Sequence, residues 1–127
     1  MKGHQVGVFP VTEDGKIVLV TTLNGKYWIF PKGNTADGRS DRVMAREEAF
    51  EEAGLEGRLR QQCERFKTPL GKSRTLHLYP MKVEKILKRY PERRLRKRVI
   101  VSYEKAEKML SKDLKSILRK MRKRDYI

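Results

Sequence analysis

The chain has 127 residues, 31 of them lysine or arginine against 16 aspartate or glutamate, a formal net charge of +15. One compact domain over 1–127 is expected, because the length suits a single core and is short for two. No apolar run reaches the roughly 20 residues of a membrane-spanning helix, so no membrane partner is expected, while the charge points to polyanions such as nucleotides, polyphosphates or nucleic acid.

In chain order, Gln5 to Val11 and Lys16 to Thr22 read as strands joined by a Glu13-Asp14-Gly15 turn. Asn24-Gly25 is a second turn before the strand-like Tyr27 to Phe30, which runs into Pro31-Lys32-Gly33. A polar loop, Asn34 to Arg39, leads to Ser40, an N-cap for a helix that stops at Gly54, with Leu55 as the apolar partner of its C-cap. Gly57 to Thr68 predicts one long strand, Pro69-Leu70-Gly71-Lys72 a turn, and Ser73 to Ile86 another long strand. Pro80 within the latter predicts an edge or a bulge. Arg98 to Val101 is a short last strand. Ser102 caps a helix from Tyr103 to Leu110, and Ser111 caps another with Leu114, Ile117, Leu118 and Met121 at core spacing. The segment from 103 to 127 is thus helical and basic.

Glu48, Glu51 and Glu52 fall within a narrow arc of the first helix, at about 100° per residue. Like charges at this spacing repel by roughly 0.2–0.5 kcal/mol per pair. Val43, Phe50 and Ala53 lie on the opposite side and are expected to enter the core. Such a carboxylate face can be merely solvated. Set between a strand, a glycine loop and a defined stop, it instead suits a hard cation such as magnesium, which takes carboxylate, water and phosphate oxygens. Cys63 stands alone, so no internal disulfide forms. The start, MKGHQVGVFPV, has no secretory pattern, and together these features predict a cytoplasmic protein. One cysteine with His4 and His77 gives no zinc-site spacing, and both histidines read as packing or surface residues.

The strand, loop, acidic helix and stop resemble the Nudix hydrolase family, whose signature is G-x5-E-x7-R-E-U-x-E-E-x-G-U with U aliphatic. Gly33 opens the match, and Glu48, Ala49, Glu51, Glu52, Gly54 and Leu55 fill its later positions. Two positions depart from it: Arg39 stands where the family has an acid, and Glu47 where it has arginine. An Arg39–Glu47 pair of reversed polarity could hold loop to helix; alternatively Arg46 supplies the positive charge, or the site is degenerate. The resemblance runs from about Gln5 to about Leu110 and implies the Nudix fold, a mixed β-sheet between α-helices. Within the family, Trp28 to Gly33, Tyr90-Pro91-Glu92, the arginines after it and Ser102 to Ala106 resemble the diphosphoinositol polyphosphate and diadenosine polyphosphate phosphohydrolase branch.

The resemblance implies hydrolysis of a phosphoanhydride bond with magnesium, or manganese in its place. The metal is expected on Glu48, Glu52 and the Gly33 carbonyl, with Glu51 as first choice of general base and Glu84, Glu92 or Glu104 as alternatives. Lys32, Arg39, Arg74 and Arg94 are the candidates to hold phosphates. The opposing reading is a noncatalytic module for RNA or a nucleotide, with the exchanged Arg39 and Glu47 marking lost catalysis. RNA would meet the basic C-terminal segment, although Tyr90, Tyr103 and Tyr126 are too widely spaced for a stacking platform.

Overall fold

The computed structural model describes residues 3–68 and 75–127. The turn expected at Pro69 to Lys72 and the candidate Arg74 lie outside the described residues. Among the described residues, eight strands form one mixed sheet. They are β1 (Gln5–Val11), β2 (Ile17–Thr21), β3 (Trp28–Ile29), β4 (Lys32–Asn34), β5 (Leu55–Leu59), β6 (Glu64–Lys67), β7 (Thr75–Ile86) and β8 (Arg98–Val101). Helix α1 (Asp41–Ala53) follows β4, and α2 (Tyr103–Met109) and α3 (Lys112–Lys123) follow β8.

β1 and β7 form the parallel centre, with Val6 opposite His77 and Phe9 opposite Pro80. β1 is buried from Gln5 to Pro10, as a strand covered on both faces must be. β2 pairs antiparallel with β1, β3 and β8. The expected strand from Gly57 to Thr68 is in fact two: β5 ends at Leu59, β6 begins at Glu64, and both pair with β7. Pro80 therefore occupies a central strand rather than an edge. It lies opposite the gap between β5 and β6, where its carbonyl accepts from the Arg60 N–H at 2.9 Å, and where its missing N–H leaves no ladder bond unmade. The one irregularity in the β5–β7 register falls at Glu56/Gly57 instead.

α1 is capped as its sequence requires. The Ser40 hydroxyl accepts from the Val43 N–H at 3.2 Å, and Gly54 adopts a left-handed φ of 64°. The inward face agrees with expectation at Ala53 and differs at Val43 and Phe50. Ala45, Ala49 and Ala53 are fully buried, whereas Val43 and Phe50 are 47% and 39% exposed. Small residues let α1 lie close on β1, β4 and β5. That close approach turns Glu52, only 4% exposed, toward the sheet. On α3, Leu114, Ile117, Leu118 and Met121 are buried as expected, and the Ser102 side chain caps α2 through the Lys105 N–H at 3.1 Å. Ser111 precedes α3 without a side-chain capping bond.

Candidate functional site

The site forms where α1 crosses β4, a three-residue strand that the sequence reads as loop. Its register on β1 (Gly7 opposite Lys32, Val6 opposite Gly33) fixes the backbone beneath the glutamates. Gly33 leaves room for the Glu48 carboxylate, which a Cβ at this position would displace. Glu52 accepts from the Lys32 backbone N–H at 3.2 Å through Oε1. Its Oε2 meets Arg96 Nη2, also at 3.2 Å. Arg96 further donates from Nε to Glu92 Oε1 at 2.8 Å and from Nη1 to the Thr21 carbonyl at 2.9 Å. An open cleft of about 400 Å3 lined by Thr22, Asn24, Ile29, Lys32, Glu52 and Arg96 gives access.

Burial is the main cause of the electrostatics here. It pushes the Glu52 carboxyl up to about 8, against the pull of Arg96 and with the added repulsion of Glu48. Burial also raises Glu48, helped by Glu51 and Glu92, and holds the Lys32 ammonium below its ordinary value. Two crowded acids that resist ionisation are poised for a positive charge to arrive between them.

The linkage gives a testable sign. Glu52 moves from an ordinary 4.5 to about 8. Across that window the folded chain therefore holds a proton that the unfolded chain has released. Stability without divalent metal should fall as pH rises from about 5 to 8. Thermal melts in chelator should show this slope, and Glu52→Gln should flatten it; a slope unchanged in the variant would assign it to other groups.

The expected residues divide. Gly33, Glu48, Glu52 and Lys32 come together, and Glu51 is half-buried on the same helix. Arg39 pairs with Glu47 through a guanidinium–carboxylate contact on the exposed side of α1. Arg46 is exposed beside Phe50, Glu56 and Glu84. Arg94 is exposed in a separate groove with Arg89, Tyr90 and Arg93. Of the later glutamates, Glu92 joins the site through Arg96, while Glu84 pairs with Arg58 at 3.3 Å and Glu104 is exposed on α2. Arg96 is the residue that sequence reasoning missed. Its signal is the Glu92/Arg96 spacing, one helical turn, within a run of arginines that otherwise look alike.

The fold as a whole has solved counterparts. A Caenorhabditis elegans Ap4A hydrolase superposes with a TM-score of 0.73 at 21% identity, covering 95% of this chain and 96% of that one. A MutT structure from work on Aliivibrio salmonicida and Vibrio cholerae gives 0.66 at 19% identity, covering 91% and 92%. This is the Nudix fold. In sequence, Nudix hydrolase 4 of Arabidopsis thaliana is 28% identical over 97 residues, which are 74% of this chain and 47% of that protein. The chain thus spans about half the length of this curated relative. No protein-family model matches the chain. Among the described residues, no helix is long and apolar enough to cross a membrane.

Proposed function

We propose that this Nudix-fold protein is a magnesium-dependent hydrolase of a phosphoanhydride bond in a phosphate-rich small molecule. The carrying observation is the buried Glu52 and the half-buried Glu48 set against the Lys32-Gly33 backbone. The donor set is all oxygen and its acids are mutually repelled, which fits a hard divalent cation. Glu48, Glu52 and the Gly33 carbonyl would hold it. Bound there, magnesium or manganese would supply Lewis-acid polarisation of a phosphoryl oxygen and a more acidic water. Lys32 and Arg96 donate to phosphate oxygens along the cleft. Glu51 accepts the proton of the attacking water at a carboxylate oxygen, with Glu92 as the alternative acceptor. Arg96 positions both Glu52 and Glu92 through its planar fork.

Dinucleoside polyphosphates are the first substrates to try, because a structural neighbour is an Ap4A hydrolase and this chain carries a charge of +15. Inositol pyrophosphates are next, then nucleoside diphosphate sugars and capped RNA. Phosphate or nucleotide release from this panel, with and without magnesium, tests the reading. Metal-dependent turnover of one member is expected. Tight binding without turnover of any would favour the noncatalytic RNA or nucleotide module.

The reversed Arg39–Glu47 pair bears on the same question. Contacting partners couple by about 0.5–3 kcal/mol in a double-mutant cycle, and an exposed pair falls at the low end. Arg39→Glu and Glu47→Arg should each reduce activity by set-back of the Gly33 loop, and the double exchange should recover much of it. Strictly additive effects would show that the pair does not position the loop.

A further inference from the structure

The sheet joins three residues that the sequence keeps far apart. His4 precedes β1, His77 lies on β7 opposite Val6, and Asp41 is the first residue of α1. The two imidazoles stack with centroids 3.9 Å apart and planes 23° apart. His4 Nε2 lies 2.8 Å and His77 Nδ1 3.3 Å from the same oxygen, Asp41 Oδ2. All three are partly buried, and their ligand atoms lie within 4.8 Å of one another. We propose that His4, Asp41 and His77 form a binding site for a divalent transition-metal ion, zinc first, separate from the carboxylates of Glu48 and Glu52.

Metal–nitrogen and metal–oxygen bonds of 2.0–2.2 Å put ligand pairs about 3–4 Å apart, so side-chain adjustments suffice. Two imidazoles and one carboxylate leave a position for water and select borderline metals over magnesium. Each ring binds as the neutral tautomer: His4 carries its proton on Nδ1 and His77 on Nε2. Burial keeps His77 below its ordinary pKa, the state a ligand needs. The Thr35 hydroxyl donates to the His4 carbonyl at 2.8 Å and fixes the chain that presents this ring. Two features oppose a cation: the α1 N-terminus, and Arg65, which pairs with His77 across β6 and β7. Coordinate bonds must outweigh both, so a hard, weakly coordinating ion should not occupy the site. A bound metal would fasten the start of α1 to the two central strands. The inference does not depend on the hydrolase reading.

The chain has only two histidines, so imidazole 15N spectra of tag-free protein report this site alone. With magnesium already saturating, one equivalent of zinc chloride should shift the nitrogens of both rings. Tm should rise by about 5–10 °C at roughly a hundredfold excess over Kd. His4→Asn and His77→Asn should each weaken zinc binding at least tenfold by calorimetry, while the Glu48→Gln/Glu52→Gln double variant keeps it. Should His77→Asn fail to fold, His4→Asn and the wild-type spectra decide. The proposal is overturned if neither ring responds, if one ring responds alone, if binding survives in the histidine variants, or if it disappears with the two glutamates. In the first case the triad is a hydrogen-bonded strut only.

Discussion

Glu48→Gln and Glu52→Gln should each lower turnover at least about a hundredfold with saturating magnesium, while the chain remains folded. Each change keeps side-chain volume and removes one anionic oxygen donor from the clamp on the phosphoryl group. The fold should tolerate both. Glutamine at 52 can still accept from the Lys32 N–H that now lies 3.2 Å from Oε1, and the cost of turning its amide N–H groups toward Arg96 is partly offset by the like-charge repulsion that disappears. Phosphate release by the best substrate, paired with metal-free thermal melts, checks both halves. Near-normal turnover in the two variants would remove these carboxylates from the chemistry.

Arg96→Ala is expected to give the largest loss of stability among the arginines of the basic segment. Its guanidinium meets Glu52, Glu92 and the Thr21 carbonyl, and its side chain is only 11% exposed. Removing one partner of a buried ion pair costs about 3 kcal/mol or more, roughly 10 °C in Tm for a domain of this size. The Glu52 share of the loss should grow as pH rises through about 8, where that carboxyl ionises, and should be small below about pH 7, where Glu52 is protonated and needs no cation. Arg96→Lys should rescue poorly, because a point charge cannot serve two carboxylates and a carbonyl at once. Exposed Arg94 is the control, and Arg94→Ala should stay within about 0.5 kcal/mol. Equal effects at 94 and 96 in urea or thermal unfolding would refute this assignment.

The local grammar of the chain was readable. Ser40 and Gly54 bracket α1 because their capping chemistry acts over three or four residues. Glu48 and Glu52 stand out because like charges at helical spacing need a reason. On α1 the expected face holds at Ala53 but not at Val43 and Phe50, which outweigh alanines on any hydrophobicity count. Close packing on β1 rewards small side chains over large ones, and that depends on the partner. Lys32-Gly33-Asn34 has no strand character of its own and reads as loop; β1 supplies the pairing that makes it β4. Pro80 argued for an edge, and only the β5–β6 gap explains it. His4 and His77 looked unrelated because a parallel register, invisible along the chain, puts them side by side. Arg96 could not be told from Arg94 without knowing which way the segment turns.

Two further arginines change what the charge of the chain means. Arg98 donates from Nη1 to the carbonyls of Ala53 and Leu87 at 2.8 and 2.7 Å and lies 4.8 Å over the Tyr90 ring. It closes the end of α1 and the end of β7 together. Arg42 does the same for the exit of β5, donating to the carbonyls of Leu59, Arg60 and Gln61. Each guanidinium replaces a missing stretch of ladder with a fan of donors, as a lysine ammonium could not. Basicity in this chain is thus partly joinery. A charge-conserving exchange of arginine for lysine across the whole protein would leave its long-range field nearly unchanged, yet loosen the frame in which the acidic helix is set.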